Sequence, residues 1–249
     1  MIIADPRNEK AQEMAQKLNE LFPEGLPDHA PTVVIGGDGF LLQVAHSRGL
    51  ADTYLGLNAG YLGFLLNDVD HWDAVAHRLQ NKKWTAHSFR TIDAEIHLEN
   101  GDIVRERAVN DVYLERMSGQ TARLQLIVDG ELVVETLVSD GIVFSTALGS
   151  TAYTYSAGGP VCHPTLDVLA VTPICPHKPR LAPFALPATA KVDIVVQKGA
   201  YRPVRAVADG RDTNHVSSVH LALGSEKVQL AYFLDHNFTS LMVRKILHP

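Results

Sequence analysis

Apolar positions along the first third of the chain recur with two alternating periods. In "NEKAQEMAQKLNELF", Ala11, Met14, Ala15, Leu18 and Leu21 fall on one helical face. "TVVIG" (residues 32–36) is β-branched with no polar face, as a parallel strand covered on both sides requires. Residues 40–46 can continue as a helix, "TYLGLN" offers the next strand, and Ile2-Ile3 a first one. "DVDHWDAVAHRLQNKK" spaces Trp72, Val75, Ala76 and Leu79 helically, with an acidic first turn and a basic end that match the helix dipole.

After about Thr85 the period becomes two. Ala94, Ile96 and Leu98 alternate up to "ENGD"; Leu124, Leu126 and Val128 alternate up to Asp129-Gly130, followed by Leu132 and Val134. Asn-Gly and Asp-Gly between alternating runs are the strongest short-range hairpin signals. Val192, Ile194 and Val196 repeat the pattern, and Val219–Leu223 and Val228–Tyr232 read as two strands across a "GSEK" turn. "NFTSLMVRKIL" returns to a helical pattern. The fold class predicted is therefore an α/β N-terminal domain with an open, mostly parallel sheet, plus an antiparallel β-rich C-terminal domain, with the C-terminal helix returning to the first. The expected boundaries are 1–88 joined by 236–249, and 89–235.

Composition narrows the class of partner. The 249 residues are 46% hydrophobic and 20% charged, with a formal net charge of -6. Such a chain has no general attraction for nucleic acid or anionic lipid, so any phosphate must be held locally. No apolar run approaches the roughly 20 residues of a membrane span, and "MIIADPRNEK" lacks the basic n-region and apolar h-region of a signal peptide. Two cysteines, Cys162 and Cys175, cannot staple a chain of this length, which favours a reducing cytoplasm.

Three stretches carry candidate chemistry. "GGDG" (Gly36, Gly37, Asp38, Gly39) stands where a strand hands over to a helix. Glycines there let a ligand approach the backbone, and a helix N-terminus favours anions. The same four residues fit a plain turn with Asp38 as N-cap equally well. "SDGIVFSTALGSTAYTYSAGGP" packs small, hydroxyl and aromatic residues after a buried strand, a mixture that favours a flat ligand over an ordinary loop. "VNDV" interrupts a strand pattern with Asn110 and Asp111, acceptors suited to ribose hydroxyls, although a strand-end Asx turn gives the same dipeptide.

Taken in order, "GGDG", "NAGYLGF", "VND", "SDG…GSTAYTYSAGGP", "TPICPH" and "VADG" resemble the NAD kinase family, in its short bacterial form, over most of the chain. The resemblance implies ATP-dependent phosphorylation of the 2′-hydroxyl of the adenosine ribose of NAD, giving NADP. It implies that Asp38 is the catalytic base or orients that hydroxyl, beside Gly36, Gly37 and Gly39. It implies nucleotide contacts from Asn58, Phe64, Asn110, Asp111, Asp140, Thr151, Ala152, Tyr153, Ser156 and Asp209. Mg²⁺ would be held mainly by ATP phosphates and water, with no protein metal site. NAD and ATP are then the expected partners, without nucleic acid or membrane, in a cytoplasmic homodimer or homotetramer.

The chain departs from the family pattern at several places. Phe40 stands for the usual threonine after "GGDG", Asp111 for the commoner glutamate, Ala147 and Leu148 for a proline and a small residue, and "KPRL" (178–181) for the usual run. Two other readings remain. A lipid kinase shares a related "GGDG" turn but should lack "GSTAY", and a non-catalytic NAD sensor would keep the fold without turnover. Cys162-His163 with Cys175 and His177 fits no standard zinc spacing, and the serine of "GSTAY" has no GxSxG context.

Overall fold

The computed structural model describes residues 1–247. In chain order its elements are β1 (Ile2–Ala4), α1 (Glu9–Leu21), β2 (Thr32–Gly36), α2 (Asp38–Arg48), β3 (Thr53–Asn58), α3 (Trp72–Gln80) and β4 (Trp84–Leu98). There follow β5 (Ile103–Ala108), β6 (Asp111–Arg116), β7 (Ala122–Val128), β8 (Glu131–Ser139), β9 (Gly141–Thr146), a 3₁₀ turn (Leu148–Thr151) and α4 (Tyr153–Ser156). The rest is β10 (Val168–Ile174), β11 (Phe184–Pro187), β12 (Lys191–Val196), β13 (Val204–Ala208), β14 (Arg211–Thr213), β15 (Val216–Phe233) and α5 (Phe238–Met242). Internal contacts group residues 1–89 with the segment from 226 onward as one unit, and residues 90–225 as a second.

The first unit is α/β. β1, β2 and β3 are parallel neighbours, and the end of β15 extends the sheet in parallel beside β3, pairing Gln229 with Thr53 and Leu230 with Tyr54. Asn8 caps α1 by accepting the Ala11 N–H at 3.1 Å, which directs Met14 and Leu18 into a core with Val33, Ile35, Leu55, Leu57, Val75 and Leu79. Burial of Val33 to Gly36 on both faces of β2 explains why "TVVIG" shows no alternation. α5, capped by Asn237 and burying Phe238 and Leu241, belongs to this unit, so the C-terminal helix returns as expected.

The second unit is antiparallel. One sheet runs β11-β10-β9-β6-β13-β14; the start of β15 pairs β12, which pairs β7, which pairs β8. Inward residues from both, such as Leu114, Phe144, Leu126, Ile194 and Val219, share one core. The Asn-Gly and Asp-Gly hairpins form, with Gly101 at φ +93° and Asp129-Gly130 at +51° and +82°. The "GSEK" turn does not form. β15 is one strand of 18 residues, and none of residues 224–227 takes the positive φ that a tight hairpin needs. The stretch marks a change of partner, from β12 up to Ala222 to β3 from Gln229, and Gly224 leaves room for the Asp93 carboxylate. No described helix is long and apolar enough to cross a membrane.

Candidate functional site

In the first unit, β2 hands over to α2 at Gly36-Gly37. Gly37 is the N-cap, with φ −99° and ψ 172°, so Asp38 is the first helical residue and not the cap. Its carboxylate turns away from its own helix. One oxygen accepts the N–H of Phe64 at 2.9 Å and the other the N–H of Leu65 at 3.0 Å, so two successive amides hold the side chain in one orientation. Phe64 thus meets Asp38 through its backbone. The loop bearing these amides is itself pinned. Asn58 accepts the Gly60 N–H at 2.9 Å and donates to Asp68 at 3.2 Å, and Ala59 donates to the Gly36 carbonyl at 3.0 Å. Gly63, at φ +60°, allows this path: a Cβ there would stand 2.5 Å from the Asn58 amide.

The other glycines differ in what they leave open. A Cβ on Gly36 would meet the Phe40 ring at 2.9 Å, so the substituted aromatic packs on the strand end. A Cβ on Gly37 or Gly39 would meet nothing within 4 Å, and neither has a positive φ. Nothing among the described residues requires glycine at these two positions, and their bare backbone leaves the α2 N-terminus approachable. Buried Asn67 escaped the sequence reading. It donates to the Gly56 and Ala231 carbonyls and accepts the Phe233 N–H, locking β3 to β15. Tyr232, read only as a strand residue, is 1% exposed; its hydroxyl has no hydrogen-bond partner among the described residues, and burial first, then the Asp38 charge, push its ionisation upward.

In the second unit, Asp111 begins β6 and Asn110 immediately precedes it, and their backbone is held from two sides. Asp209 accepts the N–H groups of Val109 at 2.6 Å, Asn110 at 2.9 Å and Asp111 at 3.2 Å. Opposite, the Thr146 hydroxyl donates to the Val109 carbonyl at 2.8 Å and accepts the Gly149 N–H at 3.0 Å. Gly149 lies directly on this backbone, where a Cβ would stand 2.1 Å from the Asn110 carbonyl oxygen. Asp209-Gly210 is a further Asp-Gly hairpin turn, unread in the sequence, joining β13 to β14 with φ +44° and +79°.

Of the pair, Asp111 is buried and Asn110 half-buried, with its Oδ1 shielded from solvent. The Oδ1 of Asn110 has no hydrogen-bond partner among the described residues. Asp111 is 6% exposed; burial, and secondarily the charge of Asp209, raise its pKa to about 7 against the opposing pull of the Tyr153 N–H. The Tyr153 ring meets Tyr113 edge-on at 4.9 Å, and burial raises the ionisation of both phenols. Ala152 stands between the 3₁₀ turn and α4, whose exposed end is Ser156, while Thr151 reaches back to the Leu148 carbonyl at 3.4 Å. Asp140 pairs with Arg116 at 2.7 Å. The candidates therefore form two sets, one in each unit. Among the described residues no three His, Cys, Asp or Glu side chains are grouped to hold a metal.

Comparison with known proteins puts these features in one family. Residues 109–231 match the ATP-NAD kinase C-terminal domain. The NAD kinase of Rhizobium meliloti (strain 1021) is 37% identical over 236 residues, covering 94% of this chain and 90% of its own. That of Cereibacter sphaeroides (strain ATCC 17025 / ATH 2.4.3) is 40% identical over 198 residues, 79% of this chain and 77% of its own. Two solved structures share the fold at 20% identity. Yeast NADH kinase complexed with NADH has a TM-score of 0.84 over 99% of this chain and 86% of its own. An NAD kinase from Archaeoglobus fulgidus in complex with ATP has a TM-score of 0.78 over 99% and 98%.

Proposed function

The chain belongs to the NAD kinase family, and from that premise we propose which of its residues carry the reaction. Membership makes it an ATP-dependent phosphotransferase that converts NAD to NADP, in preference to a lipid kinase or a non-catalytic sensor. Asp38 takes the proton of the adenosine-ribose 2′-hydroxyl as that oxygen attacks the γ-phosphorus of ATP. The bond from that phosphorus to the β–γ bridging oxygen breaks and ADP leaves, so the proton ends on the Asp38 carboxylate. The observation that carries this reading is the clamp on Asp38. A carboxylate held by two successive amides beside a helix N-terminus is aimed before substrate arrives.

Gly36, Gly37 and Gly39 leave the first turn of α2 to the triphosphate, with Asn58 and Phe64 shaping the loop beside it. Asn110 and Asp111 accept hydrogen bonds from NAD; the buried Oδ1 of Asn110, without a partner among the described residues, favours this role. Thr151, Ala152, Tyr153 and Ser156 surround the nucleotide, and Asp140 supports them through its pair with Arg116. A divalent cation, Mg²⁺, carried on the donor phosphates would neutralise part of their charge. The carboxylates of Asp38, Asp68, Asp140 and Asp209 are engaged by amides or arginines of the chain, which suits a metal held mainly by phosphate and water.

On the same reading the first unit binds nucleotide, and the second binds NAD and assembles a cytoplasmic homodimer or homotetramer. Leu132 and Val133, exposed on the terminal strand β8, favour assembly through that unit. The test is incubation of the purified chain with NAD, ATP and Mg²⁺, with NADP measured by an NADP-specific dehydrogenase. Steady NADP formation is expected; NAD binding without NADP would overturn the assignment.

A further inference from the structure

We propose that Asp209 is a positioning residue for NAD. Its carboxylate holds the backbone of Val109, Asn110 and Asp111 in the binding conformation without touching the nucleotide itself. The proposal rests on the reading of Asn110 and Asp111 as NAD ligands, and it changes the role that family resemblance gave to Asp209, a nucleotide contact.

Both carboxylate oxygens are engaged by this backbone. Oδ2 accepts from Val109, while Oδ1 accepts from both Asn110 and Asp111. The Asp209 N–H returns a bond to the Asp111 carbonyl at 3.1 Å, so side chain and backbone grip the same three residues. The two-residue turn explains how. Positive φ at Asp209 and Gly210 reverses the chain from β13 to β14 and swings the carboxylate back over the start of β6. Thr146 and Gly149 close the opposite, carbonyl side of this backbone. A segment held on both edges cannot rotate, so the Asn110 amide is presented in one direction. Three charge-assisted bonds to consecutive amides make an anion site occupied by the chain's own carboxylate.

The test is a double-mutant cycle on the full-length chain, D209N against N110A, with steady-state KM for NAD and for ATP. Asparagine tolerates the positive φ of position 209 but places an amide donor against a backbone donor. With wild type forming NADP, D209N should raise the NAD KM roughly tenfold, about the effect of one charge-assisted hydrogen bond, and leave the ATP KM unchanged. In the N110A background the same substitution should add little, because its effect passes through Asn110. An unchanged NAD KM, or fold-changes that multiply in the double variant, overturns the proposal, whereas a wild type that makes no NADP overturns the parent reading instead. A crystal structure of the wild-type chain with NAD gives a second measurement that needs no variant to fold. Both Asp209 carboxylate oxygens should remain on the three amides, and a hydrogen bond between the Asp209 carboxylate and the nucleotide refutes the role.

Discussion

Replacing Gly37 by alanine separates room kept for a ligand from room needed by the fold. A Cβ at this position meets no atom within 4 Å, and φ −99° with ψ 172° is extended backbone open to any residue. Two small terms act on stability. Alanine restricts the unfolded chain and so stabilises by about 0.4–1 kcal/mol, while it is a poorer N-cap than glycine by an amount of similar size. The net change should stay within about 1 kcal/mol, a melting shift under about 4 °C. Activity should respond differently. On the proposed phosphate role, a methyl group at the N-cap would push the triphosphate off the first turn of α2. Loss of one to two charge-assisted hydrogen bonds, at about 1.5–3 kcal/mol each, lowers kcat/KM for ATP by roughly 10²-fold. The assay is a thermal melt beside steady-state kinetics with ATP and NAD varied separately. Unchanged melting with unchanged ATP kinetics would refute the phosphate role of Gly37; a collapse in melting temperature would refute the claim that its surroundings are open.

Gly149→Ala should show the opposite signature. Its Cβ would stand 2.1 Å from a backbone oxygen, which cannot swing aside, and the Thr146 bridge would be strained with it. Overpacking costs about 1–3 kcal/mol, so the melting temperature should fall by several degrees while the NAD KM rises; a variant that melts like wild type would contradict the contact. Asp111→Asn tests the buried carboxyl. The folded-state pKa of about 7 lies above the unfolded value, so its contribution is present at pH 4 and lost as pH rises through 7. Urea unfolding should therefore show the variant equal to wild type near pH 4 and more stable by about 2–4 kcal/mol near pH 8. Equal stability at both pH values would remove the burial argument.

What the sequence made legible followed from local period. Met14 and Leu18 on α1, the unbroken "TVVIG" of β2 and Asp129-Gly130 between β7 and β8 each encode their element within a few residues. "GSEK" misled because glycine and polar residues also suit a strand that changes partner, and the partner, β3, lies far away in sequence. Asp38 and Asp209 show the same limit at the site. Their residue types were readable as candidates, yet what each carboxylate does depends on amides distant in sequence, Phe64 and Leu65 for one and Val109 to Asp111 for the other. Asn67 and Tyr232 carry no motif at all, since only burial in the sheet gives them meaning.

The clamp on Asp38 also decides how its chemistry should be tested. Alanine would strip the acceptor from two part-buried amides, mixing a loop defect with a chemical one. Asp38→Asn keeps one acceptor oxygen and removes the base. The decisive measurement is kcat for NADP formation by this variant, taken with its NAD dissociation constant by calorimetry. If Asp38 receives the ribose proton, kcat falls about 10²–10⁴-fold while NAD affinity stays near that of wild type, because Asn110 and Asp111 are untouched. A variant that turns over close to the wild-type rate would contradict the catalytic role of Asp38 and leave its carboxylate a clasp for the loop.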